Sequence, residues 1–169
     1  CGTEESVTPF VGPAVPLEYE LMRSIRTVSN ADRKKVGLLK TEVELFGGFD
    51  TKTFRQKPRW AIARELEQQY DIENVNPGSD YPADLYCLIV PQPSSLEPEQ
   101  MNRLQDWILA GNPTLLFEDP APLGAWGTAA DDPKGGMQAR MLDDGGPEKG
   151  DFGAFLGALD LNMPIGEIV

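Results

Sequence analysis

Apolar residues at Leu17, Leu21, Ile25 and Val28 fall at spacings of 4, 4 and 3. That stripe predicts an amphipathic helix of about 13 residues, introduced by Pro16 and closed near Asn30. The pattern then changes period. Val36-Gly37-Leu38-Leu39 is a short apolar run behind Lys34-Lys35 and predicts a buried strand. Thr41 to Phe54 is expected to be a loop carrying Gly47-Gly48-Phe49-Asp50. A second helix is predicted from near Pro58 to Tyr70, with Ile62, Ala63, Leu66 and Tyr70 on its buried edge. Asp71-Ile72-Glu73-Asn74-Val75 alternates and predicts a short strand near a sheet edge. After the turn cluster Asn76-Pro77-Gly78-Ser79-Asp80, Leu85 to Val90 is the clearest central strand.

The second half repeats the alternation. Pro91-Gln92-Pro93-Ser94-Ser95 is a loop, and Pro98 opens a helix at its first position with Glu99 in the favourable first turn. Met101, Leu104 and Ile108 form its stripe, and Gly111 ends it. Thr114-Leu115-Leu116-Phe117 is the next strand and runs into Glu118-Asp119-Pro120. Residues 121–150 are rich in glycine and proline with almost no apolar periodicity, so they are expected to be a long, partly disordered excursion. Phe152, Phe155, Leu156 and Leu159 then predict a short amphipathic helix. Helices alternating with continuous apolar strands argue for a three-layer α/β domain around a mainly parallel sheet. Residues 1–169 are expected to form one such domain.

Charge and composition remove function classes. The 169 residues carry 15 Lys and Arg against 27 Asp and Glu, a net charge of −12. A nucleic-acid binder needs a basic face, and so does a surface that holds anionic lipid. The absence of histidine removes Ser-His-Asp and Cys-His nucleophile mechanisms and every histidine-containing zinc site. No CxxC, Walker lysine or GxGxxG motif occurs, so neither a metal nor a cofactor is expected. Leu88-Ile89-Val90 and Leu115-Leu116-Phe117 fall far short of the roughly 18 apolar residues of a membrane helix. No signal peptide is visible, there is no initiator Met, and Glu167-Ile168-Val169 reads as the start of a strand. The expectation is a fragment of a larger protein. Cys1 and Cys87 have the option of pairing, against a free buried thiol at Cys87.

In open α/β sheets, ligands meet the carboxyl ends of the strands. Thr41 and Glu42, Pro93 with Ser94 and Ser95, and Glu118 with Asp119 stand at three such ends. Glu42, Glu118 and Asp119 are the residue types for a metal-dependent hydrolase or an acid/base pair, but acids after strands also cap helices or face water. Phe46, Gly47, Gly48, Phe49 and Asp50 form either a close approach to a ligand or a tight turn. Ser94 and Ser95 lack a nucleophile elbow and any histidine partner. Trp126, within the excursion, is a contact residue or a local anchor.

Several stretches carry a resemblance. They are Leu17-Glu18-Tyr19-Glu20-Leu21, Lys34 to Leu39, Leu45 to Asp50, Trp60-Ala61-Ile62 through Leu66, Pro93-Ser94-Ser95-Leu96 with Pro98-Glu99-Gln100-Met101, and Gly111 to Pro120. In order and spacing the chain resembles the auxiliary extracytoplasmic domain of gliding-motility-type (GldG-like) ABC transport systems. The resemblance implies a flavodoxin-like sheet of the class I glutamine amidotransferase kind. It implies placement on the periplasmic side of the cytoplasmic membrane, anchored by membrane helices outside this stretch. It also implies ABC permease and ATPase subunits as partners, with a saccharide or peptide as a further ligand. In amidotransferases the matching strand ends in a nucleophilic cysteine on a sharp elbow. Here that place is Phe117-Glu118-Asp119, and Cys87 belongs to the preceding strand. The resemblance therefore implies an enzyme scaffold without its nucleophile, a noncatalytic component that binds a partner protein or an envelope saccharide. A purely structural docking domain for the permease is the alternative.

Overall fold

A computed structural model describes residues 16–28, 33–50, 55–122, 128–132, 134 and 148–163 of the protein. Trp126 and Cys1, and the final strand-like residues, lie outside the described residues. Four strands form an all-parallel sheet: β1 (Lys35–Leu39), β4 (Asp71–Val75), β5 (Cys87–Pro91) and β6 (Thr114–Phe117), in the order β4-β1-β5-β6. The order reverses between β1 and β5, as in flavodoxin-like sheets. Among the described residues the helices are α1 (Leu17–Val28), α2 (Ala61–Gln69), α3 (Pro98–Leu109) and α4 (Phe152–Ala158). None of them is long and apolar enough to cross a membrane.

The strands read as unbroken apolar runs because both faces are covered. Val36, Leu38 and Ile89 point to one face, where Leu45, Leu66 of α2 and Tyr70 just after that helix meet them. Leu39, Leu88 and Val90 point to the other, against Met101 and Leu104 of α3 and Phe152, Phe155 and Leu156 of α4. The result is the expected three-layer α/β architecture. Gly37 packs closely against the second of these faces. A Cβ there would come within 2.6 Å of Leu85 Cδ1 and 3.0 Å of both Leu88 Cδ1 and Val75 Cγ2. Gly37→Ala is expected to cost about 1–3 kcal/mol through overpacking. An unchanged midpoint in urea would show that this layer has room to spare.

Two local expectations are corrected, and the placing of the α1 stripe is new. The stretch expected as a loop over Thr41 to Phe54 includes a two-stranded antiparallel ladder, in which β2 (Gly48–Asp50) pairs with β3 (Arg55–Lys57). Helix α2 starts at Ala61, three residues after Pro58. The reason is that the Trp60 N–H donates to Leu45 O at 2.9 Å, so Trp60 stays extended (φ −68°, ψ 150°) before the helix turns. The stripe of α1 does not enter the core: Leu21 and Ile25 are more than half exposed. The helix is tied to α2 through polar contacts instead, with Arg23 Nη1 to Glu65 Oε2 at 3.0 Å and Gln69 Nε2 donating to the Tyr19 hydroxyl at 3.0 Å.

The terminators behave as their chemistry requires. Gly111 ends α3 with φ 87°, a conformation that favours glycine. Glu97 and Gln100 form a capping box at its start, with Pro98 in the first turn. Asp151 caps α4 by accepting from the Ala154 N–H at 2.9 Å. Cys87 is a free, half-buried thiol whose pKa burial pushes up. The described parts of the 121–150 excursion are tied to the body. Lys134 Nζ reaches Glu97 Oε1 at 2.6 Å, and the Gly150 N–H donates to Leu96 O at 2.8 Å.

Candidate functional site

The carboxyl ends of β5 and β6 are joined by one residue to which the sequence pattern gave no role. Gln92 leaves β5 in the left-handed region (φ 52°, ψ 61°) and is 4% exposed. Its N–H donates to Phe117 O at 2.6 Å. Its side-chain amide reads the next peptide in both directions, donating to Asp119 O at 2.8 Å and accepting from the Asp119 N–H at 3.1 Å. Nε2 also donates to Glu118 Oε1 at 2.7 Å. A short 3-10 turn, Pro93–Ser95, follows directly and is buried. The strained strand end is thus Gln92, whereas Phe117, Glu118 and Asp119 hold no left-handed residue.

Glu118 is the acceptor at the middle of this corner. Besides Gln92, it takes the Ser94 hydroxyl at 2.7 Å on Oε1 and the Ser94 N–H at 3.2 Å on Oε2. Ser95 faces β1: its hydroxyl donates to Gln92 O at 2.8 Å and accepts from the Glu42 N–H at 3.4 Å. Thr41 is buried and its Oγ1 accepts from the Val43 N–H at 3.3 Å, closing a small turn at the end of β1. Thr128 brings the excursion over the corner, where its carbonyl lies 3.3 Å from Ser94 Oγ.

The electrostatics match a partly dehydrated cluster. Burial raises the Glu118 carboxyl above the ordinary range, opposed by the bonds from Ser94 and by the charge of Lys149. Burial raises Glu42 as well, opposed by Lys149 and Lys134. The same dehydration lowers Lys149, opposed by Glu42, Asp132 and Glu118. Each group is pushed toward its neutral form because removal from water penalises charge. Ser94, at 1% exposure, is out of reach of a substrate, and both carboxylate oxygens of Glu118 are already occupied by the chain. Among the described residues, no three carboxylates or cysteines group so as to hold a metal ion.

On the other side of β1 the surface is open. A cavity of about 500 Å³ lies at the ends of β1 and β4. Leu39, Val43, Leu45 and Phe46 supply apolar walls, and Lys40, Glu44, Asn74 and Asn76 bring polar groups to it. Gly47, with φ 70°, makes the turn that carries Phe46 and Gly48 to its wall. The structure therefore separates the candidate residues. Phe46, Gly47 and Gly48 line the cavity; Glu42, Pro93, Ser94, Ser95, Glu118 and Asp119 gather at the corner with Thr41 beside them. Phe49 and Asp50 lie on β2, in the ladder that continues from the cavity wall.

Residues 33–145, which include every strand of the described residues and both elements around the corner, match the family of ABC-type uncharacterized transport system auxiliary domains. The chain belongs to this family. The auxiliary-domain match starts just before β1 and stops short of α4, so the central sheet is the part held in common. No curated protein and no solved structure matches the chain. As an auxiliary domain, it works with the other components of a transport system.

Proposed function

We propose that this auxiliary domain is a noncatalytic, extracytoplasmic component of a GldG-like, ABC-type transport or gliding-motility system, binding an envelope saccharide or a partner protein. Membership of the transport-system family supports the coarse role. The observation that carries the binding reading is the division of labour at the strand ends. The acid-and-serine corner is satisfied within the chain, and the cavity beside it presents apolar walls with convergent polar groups. Such a lining suits a ring with one apolar face and several hydroxyls. On this reading the amidotransferase-like scaffold has given up chemistry and kept a ligand-sized recess. Its membrane anchor, permease and ATPase lie in other segments or subunits of the system.

Soluble cell-wall saccharide fragments provide the test. At 100 times its dissociation constant a ligand stabilises by about 2.7 kcal/mol. For a domain of this size that raises the thermal midpoint by roughly 5–10 °C. The increment is expected to vanish in Lys40→Ala and to persist in Leu115→Lys, which is remote from the cavity. A panel of fragments that leaves the midpoint unmoved removes the saccharide reading. The structural docking reading then gains, and it has an observation of its own: the exposed stripe of α1 formed by Leu17, Leu21, Met22 and Ile25. Co-purification of the full-length protein with its permease, lost on Leu21→Glu, is the result that reading requires.

A further inference from the structure

The hand of the crossovers constrains where the chain goes after α4. From β1 to β4 the sheet grows in one direction, and the connecting helix α2 covers the face of Val36, Leu38 and Ile89. From β5 to β6 it grows in the other, and the connecting helix α3 covers the opposite face, with Leu39, Leu88 and Val90. Opposite steps on opposite faces have the same hand, as parallel connections require. Helix α4 follows β6 and packs with α3 on that second face. A strand that follows α4 in this sheet and keeps the hand has one place, outside β6. A return past β4 would reverse it.

The end of α4 aims the chain at that place. Asp160 takes the left-handed conformation (φ 57°), and the Leu161 N–H donates back to Leu156 O at 2.9 Å, closing the helix. Asp160 and Leu161 line a groove of about 660 Å³ together with Ile108, Gly111, Asn112 and Thr114, where α3 ends and β6 begins. Met163 packs against the cluster that holds Leu88 and Val90. By residue 163 the chain has therefore come back to the sheet, at the end from which β6 starts.

Strand β6 suits an inner position. Thr114-Leu115-Leu116-Phe117 carries neither charge nor proline, whereas β4 at the opposite edge carries two acids, the kind of charge that blunts an edge against further pairing. Among the described residues β6 pairs with β5 alone. The Leu88 N–H donates to Pro113 O at 2.9 Å and the Gln92 N–H to Phe117 O at 2.6 Å, so residues 113, 115 and 117 turn their peptide groups toward β5. Thr114 and Leu116 turn theirs outward, because a strand alternates. Residues 164–169, Pro-Ile-Gly-Glu-Ile-Val, contain three β-branched apolar residues, and their one proline comes first. At about 3.3 Å per residue these six residues reach roughly 20 Å, and the four of β6 span roughly 13 Å.

We propose that the chain itself covers this edge, with residues 165–169 running parallel to β6 as a fifth strand and bonding to the peptide groups of Thr114 and Leu116. On that arrangement α4 is the crossover helix of a β-α-β unit, and the fifth strand ends on the same side of the sheet as Glu118 and Asp119.

The test is made by nuclear magnetic resonance on the full chain. A coupling across the hydrogen bond is expected between the Leu116 amide nitrogen and a carbonyl carbon within residues 164–169. A parallel strand requires its partners to rise in number along β6. Exchange of the Leu116 N–H is expected to slow by about tenfold or more relative to a chain lacking residues 164–169. The Leu88 N–H, which bonds to Pro113 O, reports whether β6 is still paired in that shorter chain. Where the deletion unpairs β6, the coupling in the full chain decides alone. Four results would overturn the proposal: a Leu116 N–H that exchanges as fast as an unbonded amide, protection that survives the deletion, protection that rises with protein concentration and so belongs to a second copy, or couplings in antiparallel order.

Discussion

Phe155→Ala is expected to destabilise the domain by about 3–5 kcal/mol, lowering the thermal midpoint by roughly 6–20 °C. Phe155 is 2% exposed and stacks on Phe152 with ring centroids 5.9 Å apart. It belongs to the same cluster as Leu88, Val90, Met101 and Leu104, so its removal opens a cavity shared by the sheet and α3. The effect is informative because α4 lies outside residues 33–145, the span shared with the auxiliary-domain family. If α4 is an integral part of this domain's third layer, the loss falls on the whole cooperative unit. A shift below about 2 °C in a calorimetric scan would show that the layer is completed by something else and that α4 docks only loosely.

The same cluster shows what a linear pattern can and cannot carry. Leu88-Ile89-Val90 announces a strand covered on both faces, since only there do three successive apolar residues all leave water. Pro98 and Gly111 mark the ends of α3 through backbone geometry alone, and the structure keeps both. Amphipathicity is weaker evidence. The stripe Leu17, Leu21, Ile25 and Val28 states that one face of α1 is apolar, but not that the domain covers it, and here it does not. The β2–β3 ladder escapes notice for a different reason. Its three-residue strands, Gly48–Asp50 and Arg55–Lys57, are too short and too polar for any period to register.

The candidate site divides along the same line. Strand ends are local, so Glu42, Ser94, Ser95, Glu118 and Asp119 were placed by pattern at the correct edge of the sheet. What their side chains do there depends on which strands are neighbours. Gln92 can bridge to Asp119 only because β5 and β6 are adjacent in the sheet. The sole sequence signal at Gln92 is its position between Pro91 and Pro93, which marks a corner without saying what the corner holds. The cavity is still less legible. Lys40, Glu44, Asn74 and Asn76 are ordinary surface residues until β1 and β4 lie side by side.

Glu118→Ala is expected to cost about 2–4 kcal/mol, because the Ser94 N–H and hydroxyl and one bond of the Gln92 amide lose their acceptor inside the fold. Glu118→Gln separates charge from shape. Burial, the largest influence, raises the Glu118 carboxyl in the folded protein, and the Ser94 bonds offset that only in part. Between the ordinary glutamate range and this raised value, the folded chain holds a proton that the unfolded chain has released. Stability contributed by Glu118 is therefore full below that window, falls as pH rises through it, and is level above it. Glutamine has no such titration. The difference in midpoint between the parent and Glu118→Gln should accordingly shrink as pH rises through the window. Glu42, raised for the same reason, leaves a residual slope of the same sign in the variant. A difference that grows with pH would mean that Glu118 is held as a carboxylate by a partner stronger than dehydration. The corner would then be an anion-stabilising site rather than a closed structural joint, and the case for binding at the neighbouring cavity alone would fail.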